Sequence, residues 1–180
     1  MNELVNKKQN KINLQFDNHL IKNNKLLKNR LLEIPKTSGC YLFKDEKNEV
    51  NGFTASWVTQ GSFNPPLVVM AVRAEGSSHE IIKNTNKFSL NVLKSDQKDL
   101  AAVFFKPQVA LGSRFEAVEF VLGDLGLPIL KDSVGGVECE VIGDVTHGDH
   151  TVFVGEVKTA YLNNDVDSLN LDSTGWNYGG

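Results

Sequence analysis

The chain has 180 residues and a net charge of −3, with 41% hydrophobic and 23% charged residues. These values are ordinary for one globular domain with a core of its own. The sequence contains no apolar run near the roughly 20 residues of a membrane helix, and its polar N-terminus lacks the apolar centre of a signal peptide. We therefore expect a cytoplasmic protein with no membrane partner.

Charge is distributed unevenly along the chain. Residues 1–36 contain eight Lys or Arg and three Asp or Glu, whereas the remainder carries a net charge of −8. An acidic body argues against nucleic-acid binding, which requires clustered positive charge. We predict a flexible basic arm at residues 1–16 and one domain over residues 17–180. The arm either meets an acidic partner or reflects an Asn/Lys-rich composition.

The first half of the domain predicts one helix and several strands. Leu20, Leu27, Leu31 and Ile34 recur near helical spacing and precede Pro35, which predicts a helix over residues 17–34 that packs on the barrel or on a second subunit. The strands are predicted at residues 40–43, 49–60 and 67–72.

The second half adds two short helices and three strands. Ser77 and Glu80 fit a capping box at the start of the first of these helices. The second helix is predicted at residues 95–105, and residues 108–131 are predicted as a loop. The strands are predicted at 87–93, at 137–142 and, after a hairpin turn, at 150–161. Alternation places Ser89 and Asn91 on a polar face of the first strand, and Glu138 and Glu140 on a polar face of the second.

Short strands and tight connections predict a mainly β (α+β) fold, a single β-barrel domain with two or three short helices. Cys40 and Cys139 lie far apart in apolar contexts, which favours buried thiols over a disulfide or a zinc site. The four histidines lack a convincing metal-ligand spacing, and neither a nucleophile elbow nor a phosphate-loop or dinucleotide fingerprint is present. These observations leave the function open.

A phosphate site is one further hypothesis from the residues themselves. Ser77, Ser78 and His79 stand at a predicted helix N-terminus, where free N–H groups and the helix dipole favour an anion. The competing interpretation is that Ser77 only caps the helix.

Four separated motifs carry a family resemblance. GFTASW and FNPPLV within residues 52–72, FSLNVL at 88–93 and GDHTVFVGEV at 148–157 are similar to the flavin-reductase-like family of split β-barrels. The resemblance implies an FMN-binding flavoprotein, with FAD as the alternative flavin and NAD(P)H as the reductant. It also implies a homodimer whose flavin site is built partly by the second subunit.

The resemblance implies roles for individual residues. The isoalloxazine ring would contact Thr54, Ala55, Ser56 and Trp57, and the phosphate end would contact Ser77, Ser78 and His79. Asn91 would lie near the flavin. Arg114, in the SRF segment at 113–115, would contact phosphate or ribose, or else form a surface ion pair. His150 would lie where nicotinamide meets flavin and orient the reductant or protonate reduced flavin, unless it only completes the hairpin turn.

Three functional hypotheses follow from the resemblance. The first is an NAD(P)H:flavin oxidoreductase that transfers hydride from nicotinamide to flavin. The second is a flavin-binding electron relay that serves a redox partner protein. The third is a related barrel that binds haem or another planar ligand instead of flavin.

Overall fold

The computed structural model describes residues 39–176, apart from 46, 48, 107, 110–111, 113–114, 116 and 165, and gives only the backbone of 39–41 and 108–109. The predicted basic arm at 1–16, the predicted helix at 17–34 and Arg114 lie outside the described residues.

Ten strands and three short helices run along the described part of the chain. The strands are β1 Gly39–Lys44, β2 Val50–Ala55, β3 Val58–Phe63, β4 Pro66–Arg73, β5 Lys87–Val92, β6 Gln108–Val109, β7 Phe120–Leu122, β8 Pro128–Leu130, β9 Gly135–Thr146 and β10 His150–Leu162. The helices are α1 Ser77–Thr85, α2 Lys98–Val103 and α3 Leu171–Thr174. No helix of the described part is long and apolar enough to cross a membrane.

Eight strands form one antiparallel sheet in the order β3-β4-β10-β9-β5-β1-β2-β6, and β7 and β8 pair separately. β2 and β3 stand near opposite ends of this order, yet only Ser56 and Trp57 connect them. This connection spans about 11 Å at most, so the sheet must curl until its ends meet. The result is a split β-barrel, which confirms the predicted fold class.

The predicted single strand over residues 49–60 is wrong. β2 pairs with β1, whereas β3 pairs with β4. Because these partners lie at different ends of the sheet, the chain must leave one and join the other, and it does so at Ser56 and Trp57.

The two faces of the sheet bury two separate cores. Phe43 of β1 points into the barrel, where it joins a cluster that includes Met70 and Phe153. Its neighbour Leu42 points to the outer face and joins a cluster with Phe104 of the α2 end and Leu130 of β8. The outer cluster exists because α2 and the β7–β8 hairpin cover that part of the sheet.

Three of the four residues on the polar faces predicted for two strands are buried, and only Glu140 is half-exposed. Ser89, Asn91 and Glu138 each have 0% of their surface exposed. The β7–β8 hairpin lies over them, in a region that sequence predicted as loop. Ser89 donates from Oγ to the Pro128 carbonyl oxygen at 2.6 Å, and the Leu130 N–H donates to Asn91 Oδ1 at 2.9 Å.

Two other local predictions have mixed outcomes. The capping box is wrong: Gly76 is the N-cap of α1, no side chain bonds to the cap, and Ser77 is the first helical residue. The hairpin between β9 and β10 is confirmed, with Gly148 at a φ of 85°, a conformation that glycine adopts without steric cost.

Candidate functional site

The sheet order β3-β4-β10 brings Trp57 and His150 together at one end of the β4–β10 pair. The ring centroids of the two residues are 5.0 Å apart and the rings are inclined by 38°. His150 is only 9% exposed, whereas Trp57 is 48% exposed. The site therefore presents a flat apolar surface beside a largely buried imidazole.

Asp149 fixes the orientation of the His150 ring. His150 Nδ1 lies 2.8 Å from Asp149 Oδ1. The pKa of Asp149 is lowered, mainly by this hydrogen bond, then by the charge of His150 and more weakly by Arg73. An ionised carboxylate only accepts hydrogen bonds, so Nδ1 carries the proton, and in the neutral imidazole Nε2 is then an acceptor.

The N-terminus of α1 begins close to this histidine. The Ala74 N–H donates to the Asp149 carbonyl oxygen at 2.9 Å, which ties the turn before α1 to the turn before β10. Ser77 is exposed and Ser78 is half-buried in the first turn of the helix. The His79 N–H bonds to the Gly76 carbonyl oxygen, so the Ser77 and Ser78 N–H groups are the donors that the helix directs outward.

Sequence reasoning missed Arg73, the last residue of β4. It pairs in register with His150 and is exposed. The available signal was a single cation at the end of the apolar run 67–72, four residues before Ser77. Its charge adds to the anion-binding character of the α1 N-terminus.

His79 faces the barrel, away from the first-turn hydroxyls. Its Nε2 lies 2.8 Å from Thr151 Oγ1, which is itself 2.8 Å from Thr146 Oγ1. Its ring packs on Phe153 at a centroid distance of 5.5 Å. In this geometry the imidazole fastens α1 to β10.

The TASW segment divides into an inner and an outer part. The Thr54 N–H donates to the Phe104 carbonyl oxygen at 3.0 Å, and Thr54 Oγ1 donates to the Ala101 carbonyl oxygen at 2.7 Å. Ala55 lies in the barrel core. Ser56 is half-buried and Trp57 is exposed, so these two form the accessible part of the segment.

Asn91 is not grouped with these surface residues. Its amide is fully buried beneath β8 and bonds to Ser89, Pro128 and Leu130. Among the predicted site residues, the structure thus groups Trp57 and His150 with the α1 N-terminus and directs Thr54 and Asn91 toward internal partners.

Exposed apolar side chains extend from Trp57 across the outer face of the sheet. Trp57 stands opposite Ala71, which pairs with Val152, which in turn pairs with Val145. Val152 and Val145 are 39% and 57% exposed. Contiguous exposed apolar surface is common at interaction sites.

No group of three or more His, Cys, Asp or Glu residues that could hold a metal ion occurs within the described ranges. Cys139 is a free, buried thiol, as predicted, and burial raises its pKa. The side chain of Cys40 lies outside the described part of the structure.

The fold agrees with one known family. The family model of the flavin reductase like domain matches residues 38–175, and the chain belongs to this family. The probable flavin reductase of Rhizobium meliloti (strain 1021) is 33% identical over 125 residues, which cover 69% of this chain. The match covers 39% of that protein, so the chain spans about two fifths of its length.

Two solved structures extend the comparison. The NADH:FAD oxidoreductase of Streptomyces globisporus has a TM-score of 0.65 and 28% identity, and the match covers 74% of this chain and 78% of that one. The FMN-binding protein of Thermus thermophilus, solved with bound 1-cyclohex-2-enone, has a TM-score of 0.61 and 26% identity, covering 71% of each chain.

Proposed function

We propose that the protein is an FMN-dependent NAD(P)H:flavin oxidoreductase that acts as a homodimer. The observation that carries this proposal is the Trp57–His150 pair next to the α1 N-terminus, within a flavin-reductase-like domain. When bound, the flavin supplies the hydride chemistry, and the protein contributes binding, orientation and local charge.

The donors at the α1 N-terminus fit a phosphate group. The hydroxyl groups and N–H groups of Ser77 and Ser78 are hydrogen-bond donors at the positive end of a nine-residue helix. Arg73 supplies a cation at the adjacent strand end. FMN ends in this phosphate, and no further subsite for an adenine is required, so we favour FMN over FAD.

The isoalloxazine ring is assigned to the surface formed by Ser56 and Trp57. A planar ring needs an apolar wall with hydrogen-bonding groups at its edge, and the half-exposed indole supplies such a wall. Thr54 supports this surface from behind through its two bonds to the carbonyl groups at the α2 end.

His150 is assigned to the meeting point of nicotinamide and flavin. Asp149 holds Nδ1, so Nε2 is the ring atom assigned to accept a hydrogen bond or, once protonated, to donate a proton. The outer apolar face that includes Trp57, Val152 and Val145 is assigned to the second subunit. Such a contact would cover the exposed side of the indole.

The test is anaerobic visible spectroscopy of the full chain with FMN, FAD, NADH and NADPH. Flavin bands that bleach on addition of a nicotinamide establish the reductase and identify its reductant. Flavin that binds but stays oxidised refutes the reductase and favours the relay that serves a protein partner. Absence of flavin binding refutes both.

Two variants test the residue assignments. His150→Ala should slow reduction by nicotinamide and leave flavin affinity nearly unchanged, with His147→Ala in the exposed part of the same turn as control. Replacing both Ser77 and Ser78 by Ala should weaken FMN more than riboflavin, with exposed Ser95→Ala as control. An unchanged preference for FMN would remove the phosphate assignment.

A further inference from the structure

An open groove lies on the outer side of α2. It has a volume of about 510 Å³ and lies between α2 and the segments at 117–119 and 131–132. Its floor is apolar and its rim is polar. The floor consists of Leu100, Val103, Ala117 and Val118, and the rim consists of Gln97, Asp99, Glu119, Lys131 and Asp132. We call this feature the α2 groove.

The rim of the α2 groove is acidic. It carries three carboxylates and one lysine, and that lysine, Lys131, is paired with Glu119 at 2.7 Å. Asp132 pairs with Lys94 at 2.8 Å. Asp99 makes no ion pair with another residue of the described part of the chain. An occupant with an apolar stripe and flanking cations would complement this surface.

The described chain begins next to the groove. Gly39 at the start of β1 pairs with Val92 of β5. Two residues beyond Val92, the Lys94 N–H donates to Gln97 Oε1 at 2.9 Å, and Gln97 Nε2 donates to the carbonyl oxygen of Asp132. The polypeptide that precedes β1 therefore enters the sheet within a few residues of the groove rim.

The sequence just before β1 has the complementary pattern. Residues 17–34 place Leu20, Leu27, Leu31 and Ile34 near helical spacing and hold four Lys or Arg against two Asp or Glu. The four residues 35–38 that link this segment to β1 let Ile34 and Gly39 lie about 18 Å apart at most. A link this short keeps the segment near the α2 groove of its own chain.

We propose that residues 17–34 dock in the α2 groove of the same chain. Leu27, Leu31 and Ile34 lie on the apolar floor, and Lys28 and Arg30 lie toward the carboxylates of the rim. The inference is independent of the flavin chemistry. It has a structural consequence for the site, because the docked segment covers the outer side of the helix whose end holds Thr54.

Amide hydrogen exchange of the full-length protein, read by mass spectrometry, tests the docking. An isolated 18-residue segment is at best marginally helical in water, so strong protection of residues 17–34 requires tertiary contact. Leu100→Glu places a charge in the floor and should accelerate exchange there by about tenfold or more, the effect of losing one buried leucine contact. Ile142→Glu, on the exposed part of β9, is the matched control and should leave the segment unchanged.

A surface variant tests the docking independently of any folding defect caused by Leu100→Glu. Asp99→Lys reverses the charge of an exposed rim residue and should also accelerate exchange of residues 17–34, while exchange in β9 and β10 stays as in the wild type. Three outcomes overturn the proposal. They are fast exchange of the segment in the wild type, protection that neither variant reduces, and protection that is lost on dilution, which would mean that a second copy supplies the contact.

Discussion

Glu138 offers the sharpest test of how the β7–β8 hairpin is held on the barrel. Its carboxylate is fully buried and accepts hydrogen bonds from the N–H groups of Leu125 and Leu127 at 3.0–3.1 Å and from the Tyr161 hydroxyl at 2.6 Å. The same hydroxyl accepts from the Asp124 N–H at 2.8 Å. Glu138→Ala removes the acceptor shared by all three donors.

The expected loss of stability follows from the groups left behind. The Leu127 N–H and the Tyr161 O–H are buried and would lose their partner, and each such group costs about 1–3 kcal/mol. The carboxylate no longer has to be buried, which offsets part of this cost. We therefore expect Glu138→Ala to lower the free energy of unfolding by about 2–4 kcal/mol. Tyr161→Phe loses the bond to the charged Glu138 carboxylate and also the acceptor of the Asp124 N–H. It should cost at least about 1.5–3 kcal/mol.

Urea unfolding followed by tryptophan fluorescence measures both effects. Glu140→Gln on the same strand is the matched control, because among the described residues its half-exposed carboxylate makes only long ion pairs, with Lys87 and Lys158 at 3.8 and 3.7 Å. Such pairs contribute about 0–1 kcal/mol. The double variant of Glu138 and Tyr161 should cost less than the sum of the single variants, since they share one bond. Strict additivity, or single-variant effects no larger than the control, would refute this account.

Three further outcomes are expected. Gly155→Ala should destabilise the barrel by about 1–3 kcal/mol, because the new methyl group would meet the Phe88 ring at 2.6 Å; thermal melts at matched pH check this. Burial and the bond to Glu138 raise the pKa of Tyr161. Its contribution to the free energy of unfolding is therefore complete below the pKa of tyrosine in the unfolded chain and is lost as pH rises through the pKa in the folded protein. The fall in stability at alkaline pH should be shallower in Tyr161→Phe. Asn91→Ala should cost about 1–3 kcal/mol by leaving the Leu130 N–H without an acceptor, and FMN titration of the folded variant tests whether Asn91 also contacts flavin.

The barrel strands were largely predictable because alternation and turn residues are local signals. The hairpin at Gly148 and the strand over residues 67–72 are examples. The β7–β8 hairpin was not predictable, because its strands have only three residues each, too few for a periodic pattern. One missed element explains three corrections. Ser89 and Glu138 are cross-strand neighbours, and Asn91 lies on the same outer face. Alternation assigned that face correctly, but no local signal showed that it is covered.

The candidate site has the same division between local and long-range information. Motif resemblance selected Trp57 and His150 separately, yet their contact joins residues 93 positions apart and exists because β4 lies between β3 and β10 in the sheet. Packing in the folded sheet also decides which predicted residues stay accessible: Ala55 lies in the core and Trp57 is exposed. Arg73 went unnoticed for the converse reason. As one cation after an apolar run it is unremarkable in sequence, and it becomes a site candidate only through its register with His150.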